Sequence, residues 1–329
     1  MVESPVVDPV VSGLFRIGRT DRVATAGSCF AQHISRMLLE CGFNYSVFET
    51  FDPGGVGLDE NYGVFPARFG NVYTVRQLVQ LFDRAYGNFT PVDDAWINRD
   101  GYLVDPLRPR IQMTGFESRE ALTADRARHL QKVREMFETC DVLIYTLGLT
   151  EAWLSNVDGT VFPLCPMAIS DVPAENYRFH NFGFAEVTAD LLAFVERLRS
   201  LNSRATLLLT VSPVSLVATY EERHVLVSTI ASKSILRASV EEVIRRHPDI
   251  AYFPSYEIIT GPHSRGKYFE SDMREVNREG VDFVMSLFRK HYLDTTAAEP
   301  CPSAGLIDEE EARMNEIAGI ICDEGGVLE

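Results

Sequence analysis

The segment Ala26-Gly27-Ser28-Cys29-Phe30-Ala31 sets two nucleophilic side chains between an apolar run that ends in glycine and an amphipathic run that follows. A strand, a glycine turn and a helix start in that order push a small side chain out of the backbone at the turn. Two effects then favour nucleophilic chemistry. The positive end of the helix lowers the pKa of a thiol, and its unpaired N–H groups can stabilise an oxyanion. The same residues also suit an ordinary tight turn with a half-buried thiol, so the other motifs decide between the two.

Those motifs resemble a known family. Gly27-Ser28-Cys29-Phe30-Ala31 matches the signature of the GSCFA family, which is placed near the SGNH/GDSL hydrolases. Ala67-Arg-Phe-Gly-Asn-Val-Tyr-Thr74, Tyr145-Thr-Leu-Gly-Leu-Thr-Glu-Ala-Trp153, Thr210-Val-Ser-Pro213 and Tyr252-Phe-Pro-Ser-Tyr-Glu257 are similar to it as well, so the resemblance covers about residues 20–290. Laid on the Gly-Asp-Ser element of SGNH enzymes, Ser28 falls on the aspartate and Cys29 on the serine. The resemblance therefore implies Cys29 as nucleophile, with Ser28 as the fallback. It implies an oxyanion hole from Gly70, followed by Asn71, and from Gly148-Leu149-Thr150-Glu151, where Thr150 stands in place of an amide donor that Asn71 can supply. The Asp-x-x-His element falls on Asp272-Met-Arg-Glu275, with Glu275 where the histidine belongs. A glutamate at its usual pKa is a poor base for a thiol, so the base is expected from a histidine elsewhere. His224, at the start of the helix after the third strand, leads; His33, one turn beyond Cys29, follows. His263 and His180 lie in loops, and His129, His247 and His291 read as solvated. Lys233 lies opposite His224 on its helix and reads as outside the site.

Arg68, Arg108 and Arg110 can receive an anionic group or pair with the many carboxylates. Arg68, Glu151, Ser212 and His263 are the expected substrate-side residues, and no cluster has metal-ligand spacing.

These residues must be held by an α/β frame. The apolar runs Arg22–Ala26, Asp141–Leu147, Ala205–Val211 and Ile250–Pro254 read as buried strands. Helical patterns over 30–40, 118–139, 184–201, 221–246 and 277–292 alternate with them, and another lies near 74–86. This βαβ pattern predicts a doubly wound parallel sheet in a three-layer α/β/α sandwich, with ligands gathering at the carboxyl ends of the strands. Residues 43–117, rich in Gly, Pro and aromatics, read as an elaboration over the active-site face. The expected division is one SGNH-like unit over 1–292 and an acidic tail over 293–329, with a short helix near 307–321.

Composition narrows the function classes. Hydrophobic residues make up 46% of the 329, enough for a sizeable core. Ten acidic side chains against the single Arg313 in residues 293–329 carry most of the net charge of −16. An acidic chain without basic patches argues against nucleic acid and against anionic membranes, and neither a signal peptide nor a membrane span is expected. The reading is cytoplasmic. The six cysteines, at 29, 41, 140, 165, 301 and 322, form no CxxC pair and no disulfide framework is expected. The expected function is acyl transfer through a Cys29 thioester, as an O-acyltransferase or esterase. No cofactor is expected to be bound; acyl-CoA is a possible donor. The resemblance tilts the substrate towards a carbohydrate of polysaccharide biosynthesis. The alternative is a non-catalytic carbohydrate or nucleotide-sugar binding module that has lost its base. Oligomeric state is left open.

Overall fold

Short, apolar, β-branched runs form the sheets of the computed structural model of the chain, which describes residues 7–51 and 61–294. In order the elements are β1 (Val23–Gly27), α1 (Ala31–Glu40), α2 (Val75–Ala85), β2 (Trp96–Ile97), β3 (Leu103–Val104), α3 (Arg119–Thr139), β4 (Val142–Leu147), β5 (Glu151–Ser155), β6 (Val161–Phe162), α4 (Pro166–Ile169), β7 (Tyr177–Asn181), α5 (Phe184–Leu201), β8 (Thr206–Val211), α6 (Val225–Arg246), β9 (Ala251–Phe253), α7 (Ser255–Thr260) and α8 (Arg278–Tyr292). The central sheet runs β1-β4-β8-β9, every pair parallel, with Gly27 opposite Thr146 and Leu147 opposite Val211. Val142–Leu147 is buried along its whole length, as a strand covered on both faces must be.

Two separate apolar cores cover the two faces. Leu78, Phe82, Phe137, Leu191, Phe194 and Val240 bring α2, α3, α5 and α6 onto one. Ile34, Leu38, Ile258, Val284 and Phe288 bring α1, α7 and α8 onto the other. This is the expected three-layer sandwich. It is doubly wound because Tyr45, after α1, makes a parallel bridge to Val23 on the free side of β1, whereas β4 lies on its other side. The chain leaves β1 in one direction and later returns to build in the other. The switch point between β1 and β4 is where such sheets open a cleft.

The elaboration is tied down by ions. Arg68 and Arg108 are almost fully buried, with Arg68 on Asp125 at 3.0 Å and Arg108 on Asp105 at 3.0 Å and on Asp125 at 2.8 Å. Asp125 belongs to α3, so this cage clamps residues 68–108 onto the sandwich. His129, one turn further along α3, is fully buried and bonds Glu49 at 3.0 Å. The expectation of a solvated His129 fails because the elaboration covers that helix face. His291 is buried too and meets Asp8 at 2.8 Å. A small antiparallel sheet, β6-β5-β7, was not foreseen. Its Phe162 and Tyr177 pack with Trp96 and Val104 of the β2–β3 hairpin. Cys41 is disulfide-bonded, which spacing alone could not reveal. No described helix is long and apolar enough to cross a membrane. The expected tail helix near 307–321 lies outside the described residues.

Candidate active site

Gly27 ends β1 at φ +134°, and a Cβ there would stand 2.1 Å from the Thr146 carbonyl oxygen, so only glycine can pass so close to β4. The Ser28 N–H then donates to Thr146 O at 3.3 Å. The carbonyls of Ser28 and Cys29 accept from the Ala31 and Gln32 N–H groups at 2.9 and 3.0 Å, winding the chain directly into α1. No acidic residue occupies the first turn of α1, so its positive end stays uncompensated. Cys29 carries a half-buried thiol, outside any disulfide, on this turn. The Ser28 hydroxyl is buried beside it with no hydrogen-bond partner.

The segment before α2 crosses the carboxyl ends of both strands. The Val72 N–H donates to Gly27 O at 2.8 Å, and the Tyr73 carbonyl accepts from Gly148 and Leu149, each at 3.1 Å. The Gly148 N–H, expected in an oxyanion hole, is thus spent on Tyr73. Thr150 is fully buried and faces elsewhere: its hydroxyl donates to Asn181 Oδ1 at 2.7 Å and its N–H to Ser232 Oγ at 3.0 Å. Gly70 and Asn71 line a neighbouring cavity with Arg108 and Arg110, not the cleft of Cys29, and the Asn71 amide donates to the Tyr73 hydroxyl at 3.1 Å. The expected oxyanion-hole set is therefore not assembled around Cys29.

The structure gathers a different set there. A cleft of about 400 Å³ is walled by Ser28, Cys29, Gly148, Ser212, Lys233 and Arg274, among others. Lys233 reaches it from α6. Its side chain is only 2% exposed, and its ammonium nitrogen donates to the Gly148 carbonyl at 2.6 Å. Among the described residues no carboxylate pairs with it. Burial holds this lysine down to about 7, while negative charge on Cys29 pulls the other way. Lys233 is thus a half-neutral amine near neutral pH, in electrostatic contact with the cysteine.

Arg274 enters the same cleft from the turn on which the Asp-x-x-His element was laid. The Asp272 carboxylate accepts the N–H groups of Arg274 and Glu275 at 2.9 and 3.1 Å, bonds that hold its pKa below the ordinary value. Met273 adopts φ +57° in that turn, and Arg274 is the residue delivered to the cleft wall. Glu275 is mostly exposed and binds Arg274 Nη1 at 2.9 Å; Arg274 Nε is buried without a partner. The cleft wall therefore carries two basic side chains, Lys233 and Arg274, and no carboxylate from the described residues.

None of the seven histidines lines the cleft. His224 is exposed and caps α6, its Nδ1 accepting the Leu226 N–H at 3.1 Å. It sits at the helix end, whereas the site is reached from the opposite face nine residues later. His33 packs edge-on against Phe30, and burial, then Arg36, holds it down to about 4. His263 Nε2 donates to the Ile258 carbonyl at 3.1 Å, locking its own loop. Arg68 is buried in the ion cage and does not face the cleft. Ser212 lines it as expected. Its N–H donates to Leu147 O and its hydroxyl accepts the Val214 N–H. Glu151 lines an adjoining cavity, where burial raises its pKa and Thr219 and Tyr220 bond its two oxygens.

Lys233 had a signal in the sequence. Thr229, Lys233, Leu236, Val240 and Val243 recur at spacings of four and three, and all five are buried. A lysine within such a stripe faces the sheet rather than solvent. Arg274 had no comparable signal, since only the turn decides which of its residues points inward.

The model of the GSCFA family matches residues 22–288, and the chain belongs to that family. Among solved structures, the chain is similar to an acetyl esterase mutant crystallised with acetate ion. Identity is 9%, with 82% of this chain and 94% of that one covered, at a TM-score of 0.34. It is also similar to a carbohydrate esterase family 3 protein from Talaromyces cellulolyticus, at 12% identity and a TM-score of 0.28, over 65% of this chain and 87% of that one. Likenesses this distant leave the chemistry to be argued from the site itself. No curated protein matches the chain.

Proposed function

We propose that the chain is an acyl-transfer enzyme, an O-acyltransferase or esterase, in which Cys29 is the nucleophile and Lys233 the base. The observation that carries this reading is the sharing of one cleft by a cysteine thiol at a helix start and a buried lysine that no described carboxylate pairs with. A lysine kept half-neutral by burial is a competent base for a neighbouring thiol. That supplies the base whose loss would have favoured a binding module.

The steps balance as follows. The neutral Lys233 amine takes the Cys29 proton, and the thiolate attacks the carbonyl carbon of the acyl donor. A C–S bond forms and the carbonyl oxygen becomes an oxyanion, stabilised by Arg274, the Ser28 hydroxyl and the N-terminal dipole of α1. Collapse expels the donor's leaving group, an alkoxide or a thiolate such as that of acyl-CoA, which takes the proton back from Lys233. An acceptor hydroxyl then gives its proton to Lys233 and attacks the thioester. The C–S bond breaks, and the Cys29 thiolate recovers the proton. Water as acceptor makes the enzyme an esterase. A carbohydrate hydroxyl of polysaccharide biosynthesis makes it a transferase, and for that acceptor the support is the family resemblance.

Turnover of an activated acyl ester tests the reading, with intact-protein mass spectrometry to find the acyl adduct. Cys29→Ala should abolish both turnover and adduct, and Ser28→Ala should only slow turnover. A dead Ser28→Ala beside an active Cys29→Ala would place the nucleophile one residue earlier.

A further inference from the structure

A second cavity, of about 710 Å³, opens beside the cleft. Leu149 and Leu216 line both, so the two lie side by side and share these side chains as a common wall. The chain itself makes the connection: Gly148 bounds the cleft, and β5 begins three residues later, carrying Ala152 and Trp153 into the cavity wall. Phe162, Ile169 and Phe179 add apolar wall, and Tyr220 closes one side with its ring 5.1 Å from that of Trp153. Glu151, the acidic residue in the lining, is engaged through both oxygens with Thr219 and Tyr220. It fastens the wall rather than offering a charge to a ligand.

We infer that this cavity is the subsite for the apolar chain of the acyl group that Cys29 carries, so the enzyme prefers acyl groups longer than acetyl. The inference rests on the acyl-transfer reading above. An acyl group bonded to Cys29 Sγ has its carbonyl in the cleft with Lys233 and Arg274, and the apolar wall nearest to it is the one that adjoins the cleft at Leu149 and Leu216. Each methylene buried there is worth about 0.8 kcal/mol, which is about fourfold in kcat/KM.

The test uses p-nitrophenyl acetate, butanoate and hexanoate with the full chain and with Ala168→Phe, which fills the cavity from α4. Adducts on Cys29 are read by mass spectrometry, and octanoate binding by Trp153 fluorescence with Trp153→Phe as control. The expected result is a rise in kcat/KM of about fourfold per methylene. In Ala168→Phe the rise should be lost while acetate turnover and unfolding midpoint are kept. Ala218→Phe, on another wall, gives a second filled cavity should the first variant fold poorly. Adducts that form on Cys29 with acetate fastest and no effect of filling would overturn the subsite and leave the nucleophile standing. Octanoate binding without any Cys29 adduct would overturn the acyl reading and make the cavity a separate ligand site.

Discussion

Lys233 donates a 2.6 Å hydrogen bond from its buried ammonium nitrogen to the carbonyl of Gly148, at the carboxyl end of β4 beside Cys29. One backbone oxygen thus anchors a lysine that no described carboxylate neutralises. That is a costly way to stabilise a fold. It is a useful way to keep an amine ready to accept a proton.

The cost is measurable. An unfolded lysine holds its proton to about 10.5, whereas Lys233 in the fold gives it up at about 7. Between these values the unfolded chain binds more protons, so this group makes stability rise with pH. Relative to Lys233→Met, the wild type should gain about 2–3 kcal/mol between pH 7 and 9, at about 1.4 kcal/mol per unit. Urea unfolding of both proteins at several pH values reads the difference. Parallel stability curves would mean that Lys233 titrates normally. The same substitution should lower acylation of Cys29 by about 10²–10⁴-fold, the usual worth of a positioned base.

Arg274 should act on the oxyanion. Arg274→Gln is expected to lower kcat by about 10²–10³-fold with little change in KM. Glu275→Gln, on an exposed side chain, should stay within about tenfold of wild type. Asp272→Ala frees the turn that delivers Arg274 and should fall between them. An inactive Glu275→Gln with an active Arg274→Gln would restore Glu275 to the role its position in the motif first suggested.

Acid should act on the ion cage in two stages. Burial, then Arg108, holds His129 down to about 4, so between about pH 6.5 and 4 the unfolded chain takes up a proton that the fold refuses. Their cationic partners outweigh burial and hold Asp105, Asp125 and Glu49 below their ordinary values. Their contribution is present above the unfolded carboxylate range and is lost as pH falls through the lowered folded values. Stability should therefore begin to fall near pH 6 and drop more steeply below 4. His129→Gln should shrink the first stage and leave the second, the rest of the first belonging to His33, which burial also holds down to about 4. Asp125→Ala, which takes one carboxylate from Arg68 and one from Arg108, should cost about 3–5 kcal/mol at neutral pH. Thermal unfolding across this range would show a single stage if the cage were solvated.

The frame was legible in the residues because its signals are periodic. Val142–Leu147 and Thr206–Val211 are continuous apolar runs, and α5 and α8 begin and end within a residue or two of their expected limits. The parallel sheet follows from that alternation. The antiparallel strands β5, β6 and β7 carry no such mark: β6 is two residues long, and Glu151–Ser155 reads as the tail of a motif. At the site, Cys29 and Ser212 announce themselves by standing just after strands. Lys233 does not, because a lysine is read as solvent-facing unless its place in an apolar stripe outweighs its charge. His129 fails for the converse reason: its helix, Arg119–Thr139, is highly charged, and the cover over its inner face comes from distant segments at Glu49, Arg68 and Arg108.

The same cage has a bearing on timing. Its members come from four stretches of chain, at Glu49, at Arg68, at Asp105 and Arg108, and at Asp125 and His129. None of these ions can shed its hydration until all four stretches have met, since a buried ion missing its partner is worse off than one left in water. The cage is therefore expected to close after the rate-limiting step of folding. What it adds goes into the barrier to opening rather than into the speed of assembly. The elaboration should then be slow to leave once seated, so that the lifetime of the cleft is set some distance from Cys29 and Lys233.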